Sequence, residues 1–286
     1  MPEALLSAPP RLVPEPEEIQ HGYEVPCEER RVRGAPVRVF SFPWGSQDSA
    51  RTVVCLPGLG ASGRSFAPMR PLAEDWRLLL WTPTLQTPLT HTPLQWNVAS
   101  LAHPDAGLPE RFALVGSSFG SLMSIAFALE HPERLKALVL VSPVASVRRV
   151  HRAAVALSTL VRMPKPFAYL FAPTVARIMG GRYLPPEGRS EIVRESRRLS
   201  PLEMLRRLQD ILAADYLGAL ERLRVPTLVL HGGRDLLVPL SYARDVAARI
   251  PGSRLEVIRE ASHLPYMSHT DAFNAFVGDF LAHHDT

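Results

Sequence analysis

Cysteine is nearly absent from this chain: its 286 residues hold two, Cys27 and Cys55. Cys55 falls inside an apolar run at 52–56, so no disulfide framework is expected and a cytoplasmic setting is. Lysine is just as scarce, with Lys136 and Lys165 the only two. The net charge of +4 therefore comes almost wholly from arginine. In a chain with 28 prolines this reads as a coding preference, and no nucleic-acid partner is expected. No apolar run approaches the ~18 residues of a membrane span, so no membrane insertion is expected. The first six residues lack the basic patch and long apolar stretch of a signal peptide. No His, Cys and Asp spacing suits zinc, and neither a metal nor a cofactor is expected. What is present is 46% hydrophobic residues, enough to bury the core of one large domain carrying an insertion.

The most informative stretch is Gly116-Ser117-Ser118-Phe119-Gly120. It follows a short apolar strand, Arg111 to Val115, and precedes Leu122, Ile125, Ala126 and Leu129, which recur at helical spacing until His131-Pro132. Gly-x-Ser-x-Gly at a strand-to-helix junction is a nucleophile elbow: the turn admits only small neighbours and lifts the serine hydroxyl above the sheet. Ser118 is the candidate nucleophile, and Ser117 reads as a small residue that the turn tolerates.

A serine hydroxyl needs a base, an acid that orients the base, and donors for the oxyanion. Val225 to Leu230 is an apolar strand leading into His231-Gly232-Gly233-Arg234-Asp235, which puts Asp235 just past its carboxyl end. Arg254 to Ile258 is another strand, followed by Ala261-Ser262-His263-Leu264-Pro265. The order Ser118, Asp235, His263 is the one expected of a hydrolase with this elbow, and loops at the carboxyl ends of strands form the ligand crevice of open α/β sheets. His231, beside its glycine turn, reads as structural. The run Gly58-Leu59-Gly60-Ala61-Ser62-Gly63 matches a dinucleotide fingerprint literally. That fingerprint also wants an acid at the end of the next strand, and Trp81-Thr82-Pro83 has none.

With these residues the chain resembles an α/β-hydrolase fold protein. The resemblance runs from about Tyr23 to the C-terminus, with little specificity between Val144 and Arg222. It is carried by Leu56-Pro57-Gly58-Leu59-Gly60, the elbow, the segment from Gly232 to Pro239, and Ala261 to Pro265. It implies a mostly parallel central sheet flanked by helices, a helical lid inserted after the strand that follows the elbow, and esterase-like chemistry. The amides of Leu59 and Phe119 would then hold the oxyanion. The chain departs from the commonest family patterns in three places. Pro57-Gly58 stands where His-Gly is usual, Thr82-Pro83-Thr84 lacks the usual acid, and Ser262 replaces a frequent glycine.

Residues 1–22 read as a flexible or surface-hugging extension, 23–143 and 224–286 as the core, and 144–223 as the lid. A hairpin is expected from Cys27 to Phe42, with strands near 52–56, 77–81, 111–116, 135–141, 226–231 and 254–259. Helices are expected near 65–74, 90–101, 119–131, 146–162, 201–220, 241–250 and 270–282. The aromatic, proline-broken segment from Phe167 to Tyr183 would roof the crevice, its charges limited to Arg177 and Arg182. The function expected is a serine hydrolase cleaving esters of small to medium apolar acyl groups through an acyl-enzyme on Ser118. Carbon–carbon hydrolysis or thioester hydrolysis with the same triad is the alternative. A non-catalytic small-molecule binder is the alternative of another class. The substrate partner is thus a small apolar ester, and the oligomeric state is left open.

Overall fold

The computed structural model describes residues 23–147, 174 and 176–284. The extension 1–22, the helix expected at 146–162 from residue 148 on, and the aromatics before residue 174 lie outside the described residues. Eight strands form one sheet: β1 (Cys27–Val32), β2 (Ala35–Ser41), β3 (Thr52–Leu56), β4 (Arg77–Thr82), β5 (Phe112–Ser117), β6 (Leu135–Val141), β7 (Thr227–Gly232) and β8 (Arg254–Ile258). Their spatial order is β1-β2-β4-β3-β5-β6-β7-β8. β1 pairs antiparallel with β2 and β2 with β4, and every other pairing is parallel. The chain runs from β3 outward to β4, then returns to place β5 on the other side of β3. The strand order therefore reverses between β3 and β5, and the crevice of an open α/β sheet lies at such a switch point, beyond the carboxyl ends.

The inner parallel strands, β3 to β7, are largely apolar because helices cover both faces, whereas the edge strand β8 carries Arg254 and Glu256. Alternate residues divide between two cores. Val54, Leu56, Leu79, Trp81, Leu114, Leu138 and Leu140 join one, while Val53, Cys55, Leu78, Leu80, Val115, Val139 and Val141 join the other. Helices α1 (Pro93–Ala102), α2 (Phe119–Glu130) and, after β7, α5 (Leu240–Arg249) pack on the first face; α6 (Pro265–Ser268) and α7 (Thr270–His283) pack on the second. Between β6 and β7 lie α3 (Pro186–Ser196) and α4 (Pro201–Ala213).

Three elements differ from the sequence reading. The stretch expected as a helix at 65–74 is a 3₁₀ run, Gly63–Glu74, with Pro68 and Pro71 inside it, because each proline removes an amide donor from an α-helical ladder. The helix expected at 201–220 stops at Ala213; Tyr216 N then bonds Ala145 O (2.8 Å), and a 3₁₀ turn, Leu217–Arg222, leads back to the sheet. Helix α3 is absent from the expected set. Its buried positions are Gly188, Glu191 and Glu195, so no apolar stripe announces it.

Helices α3 and α4 are fastened by charge. On α3, Glu195 accepts from Arg38 (2.7 Å) and Arg64 (3.1 Å), and Glu191 from Arg64 (3.3 Å) and from Ser62 Oγ (3.2 Å). Burial alone would raise the Glu195 pKa, but the hydrogen bond and charge of Arg38 hold it below the ordinary carboxylate value. On α4, Arg207 is 1% exposed; its Nε bonds Glu203 (3.1 Å) and its Nη2 bonds Thr84 O (2.6 Å). Glu203 also accepts from Thr87 Oγ1 (2.9 Å), and Asp210 from the Leu94 amide (2.7 Å) in the first turn of α1. Removing one partner of a buried pair strands the other charge. Glu203→Gln is therefore expected to cost about 3 kcal/mol of unfolding free energy. Urea denaturation checks this, and an unchanged midpoint would mean that the pair contributes nothing.

Candidate active site

Ser118 is the turn between β5 and α2, at φ 53° and ψ −113°. A left-handed φ is unfavourable for a side chain with a Cβ, and such strain persists only where the surroundings impose it. Here they do. The Ser118 amide bonds Val141 O (3.0 Å), while its carbonyl accepts the Ser121 hydroxyl (2.6 Å) and the Ser121 and Leu122 amides. The neighbours must be small: a Cβ on Gly120 would lie 2.1 Å from Leu56 O. That close approach brings the first turn of α2 against the end of β3.

The loop after β3 therefore sits beside the elbow. A Cβ on Gly58 would be 3.3 Å from Ser118 Cβ, and one on Gly60 would be 3.2 Å from Met204 Cε of α4. The glycine run Gly58 to Gly63 thus contacts the serine and the inserted helix, and it leads into the 3₁₀ run where a nucleotide fold would have an α-helix. Among the described residues no hydrogen bond takes the amides of Leu59 or Phe119. Phe119 is the first residue of α2, whose opening amides have no intrahelical partner.

Asp235 lies in the loop after β7. Its Oδ1 accepts the amides of Leu237 and Val238, each at 2.9 Å, and its Oδ2 is 2.7 Å from His263 Nδ1. The loop of His263 reaches that carboxylate because residue 232 has no side chain: a Cβ on Gly232 would be 1.9 Å from Ser262 O. Burial pushes the Asp235 pKa up, but the charge and hydrogen bond of His263, with the Val238 amide, outweigh it and leave the pKa below the ordinary value. A carboxylate at that position accepts from Nδ1–H, and the imidazole tautomer that donates there carries its lone pair on Nε2. His231 is fully buried, its Nε2 donating to Val238 O (3.0 Å) and lying 3.8 Å from Asp235 Oδ2. Burial lowers its pKa.

The structure thus joins Asp235 and His263 directly. No hydrogen bond links Ser118 Oγ to His263 among the described residues, but both flank one short stretch: Val141 O receives the Ser118 amide, and Ser142 Oγ donates to His263 O (3.1 Å). Catalytic hydrogen bonds in ligand-free enzymes are often longer than in the complex with substrate.

Several residues escape the sequence reading. Ser262, the departure from the frequent glycine, donates to Ile178 O (2.9 Å) and so ties the inserted segment to the histidine loop. Arg207 brings a buried cation within 5.8 Å of the Phe119 ring. Glu203, four residues before Arg207 on the same helix, is the available signal for Arg207, since opposite charges at that spacing can pair; Ser262 has none beyond the departure itself. Arg182 pairs with Glu260 (2.8 Å) at the surface, and Arg177 is exposed. No group of three His, Cys, Asp or Glu among the described residues could hold a metal ion, and no described helix is long and apolar enough to cross a membrane.

Comparison with known proteins bears on the family of the chain. A putative carbamate hydrolase, RutD, of Caulobacter sp. strain K31 is 31% identical over 255 residues, covering 83% of this chain and 93% of that protein. A pimeloyl-[acyl-carrier protein] methyl ester esterase of Aromatoleum aromaticum is 28% identical over 248 residues, 80% of this chain and 97% of that one. The crystal structure of the esterase RhEst1 from Rhodococcus sp. ECU1013 superposes with a TM-score of 0.77 at 22% identity, over 90% of this chain and 99% of that one. The family model described as alpha/beta hydrolase fold matches residues 105–270, and the chain belongs to the α/β-hydrolase fold family.

Proposed function

We propose that this hydrolase cleaves carboxylic esters of neutral, apolar acyl groups of short to medium length, through an acyl-enzyme on Ser118. The observation that carries the reading is the 2.7 Å pair of His263 Nδ1 with an ionised Asp235, beside a serine forced into left-handed backbone at the switch point of the sheet. Ser118 Oγ attacks the carbonyl carbon while His263 Nε2 takes its proton. The amides of Leu59 and Phe119 receive the oxyanion. The C–O bond breaks, and the alcohol leaves with the proton from His263. Water then attacks the acyl-enzyme, again giving its proton to His263, and the acid departs as Ser118 recovers its proton. Residues 144–223 act as a lid on a core of 23–143 and 224–286.

The substrate preference follows from the lid. The charges that the described part of the insertion buries already have ion-pair or hydrogen-bond partners, so none of them is free for a charged acyl group, and burying such a group unpaired would cost several kcal/mol. Each added methylene should instead gain ~0.8 kcal/mol until the pocket is full. On p-nitrophenyl esters kcat/KM should climb with acyl length and then fall. The name of the Caulobacter relative favours a second reading, a small carbamate, whose carbonyl the same residues could attack. An ester series run beside a carbamate, a thioester and a diketone tests both. If a half-ester of a dicarboxylic acid beats its neutral counterpart, or the diketone is cleaved fastest, the ester reading fails.

A further inference from the structure

Only three described residues other than glycine have positive φ: Arg33 in the β1–β2 turn, Ser118, and Ser142 at φ 45°. Ser142 follows β6, is fully buried, and has its amide bonded to Leu230 O (2.9 Å). Glycine would adopt this conformation without strain, yet a serine stands there. Its hydroxyl donates to the backbone carbonyl of His263 at 3.1 Å. The flanking residues serve the same centre. Val141 O takes the Ser118 amide, and the Val144 amide donates to Ser121 Oγ (3.1 Å), whose own proton goes to Ser118 O. One residue on, Ala145 O receives the Tyr216 amide from the returning end of the insertion.

We propose that Ser142 is a positioning residue for the reaction: its hydroxyl, aimed by strained backbone, fixes the main chain of His263 relative to Ser118. The inference rests on the Ser118–His263 reading above. His263 is held from two sides, with Asp235 gripping the ring at Nδ1 and Ser142 gripping the carbonyl of the same residue. The ring bond sets tautomer and tilt. The loop is also tied at Ala261, whose carbonyl accepts the Arg234 amide (2.8 Å), and at Ser262, which donates to Ile178 O. Among the described bonds, that of Ser142 is the one that joins the main chain of His263 itself to the end of β6, a strand hydrogen-bonded on both sides, to β5 and β7. It therefore bears directly on the distance between Nε2 and the serine oxygen, because Val141 of the same strand receives the Ser118 amide. Displacements of under an ångström in such a pair slow the chemistry without weakening substrate binding. The strain at residue 142 is then the cost of presenting a hydroxyl where glycine would be more comfortable.

Two substitutions separate this role from a structural one. Ser142→Gly removes the hydroxyl and relieves the backbone, whereas Ser142→Ala removes the hydroxyl and keeps the strain. Both are expected to lower kcat about ten- to a hundredfold, with KM within about twofold, and to slow fluorophosphonate labelling of Ser118 in proportion. The glycine variant should nonetheless melt at or above the parent temperature, and the alanine variant below it. Activity lost while stability is kept is not what a purely structural residue would give. If Ser118 of the parent is labelled and Ser142→Gly matches the parent in kcat and labelling rate, the positioning role is wrong. If the parent is not labelled at Ser118, the catalytic reading falls, and the role of Ser142 falls with it.

Discussion

Ser118→Ala is expected to lower ester turnover by a factor on the order of 10⁶, the size of loss seen when the nucleophile of such a constellation is removed. In the proposed mechanism the serine oxygen forms the covalent bond to the acyl group, so no acyl-enzyme can form without it. The fold should survive, because the bonds that shape the elbow are made by the Ser118 backbone to Val141, Ser121 and Leu122 and not by its hydroxyl. Alanine keeps the Cβ and hence the unfavourable φ, so its melting temperature should stay near that of the parent. Ser118→Gly should be as inactive yet more stable, by about 1–2 kcal/mol, because it relieves the left-handed backbone. Steady-state assays, mass spectrometry after fluorophosphonate treatment and thermal melts test these points together. Labelling on Ser117 would mean that Ser118 is not the nucleophile; Ser117 is fully buried.

Asp235→Asn comes next in size, with a fall in kcat of roughly 10⁴. The amide oxygen of the new side chain would remain with the Leu237 and Val238 amides, turning its NH₂ toward His263 Nδ1. That nitrogen would have to become an acceptor, so the ring proton would move to Nε2, and Nε2 could no longer take a proton from Ser118. The pH dependence of stability gives a separate check. The folded pKa of Asp235 lies below its ordinary value, so the group stabilises the fold above the unfolded carboxyl pKa of about 3.9. That contribution disappears as pH falls through the folded value. An amide side chain does not titrate, so as pH falls from about 6 to about 3 the variant should lose less stability than the parent does. A variant with kcat close to the parent would show that another group orients His263. Asp210 is a poor substitute, since its carboxylate is taken by the Leu94 amide.

Much of the fold is legible in the sequence because its signals are local. Apolar runs of strand length, glycine turns after them and helical spacing after Ser118 need only their own neighbours. The strands accordingly lie within a residue or two of the expected positions, and an antiparallel hairpin precedes the parallel strands as the pattern implies. The candidate residues Ser118, Asp235 and His263 can be named for the same reason: each follows a recognisable strand in a loop with its own turn chemistry.

Other features depend on partners far away in the chain. Helix α3 hides its packing face as Glu191 and Glu195, which are buried only because Arg38 and Arg64 meet them; the Arg38–Glu195 bond spans 157 positions. A hydrophobic pattern cannot report a face whose burial depends on ion pairs. The same holds for Arg207 against Glu203 and Thr84, for Ser262 under Ile178, and for the left-handed serine at 142. Short-range sterics and apolar periodicity suffice to specify the succession of strands and turns, and with it which side chains reach the carboxyl end of the sheet. The fastening of the insertion and the anchoring of the histidine loop to β6 lie beyond that reach. They rest on hydrogen bonds and ion pairs between distant segments, and those form only once the sheet has brought the segments together.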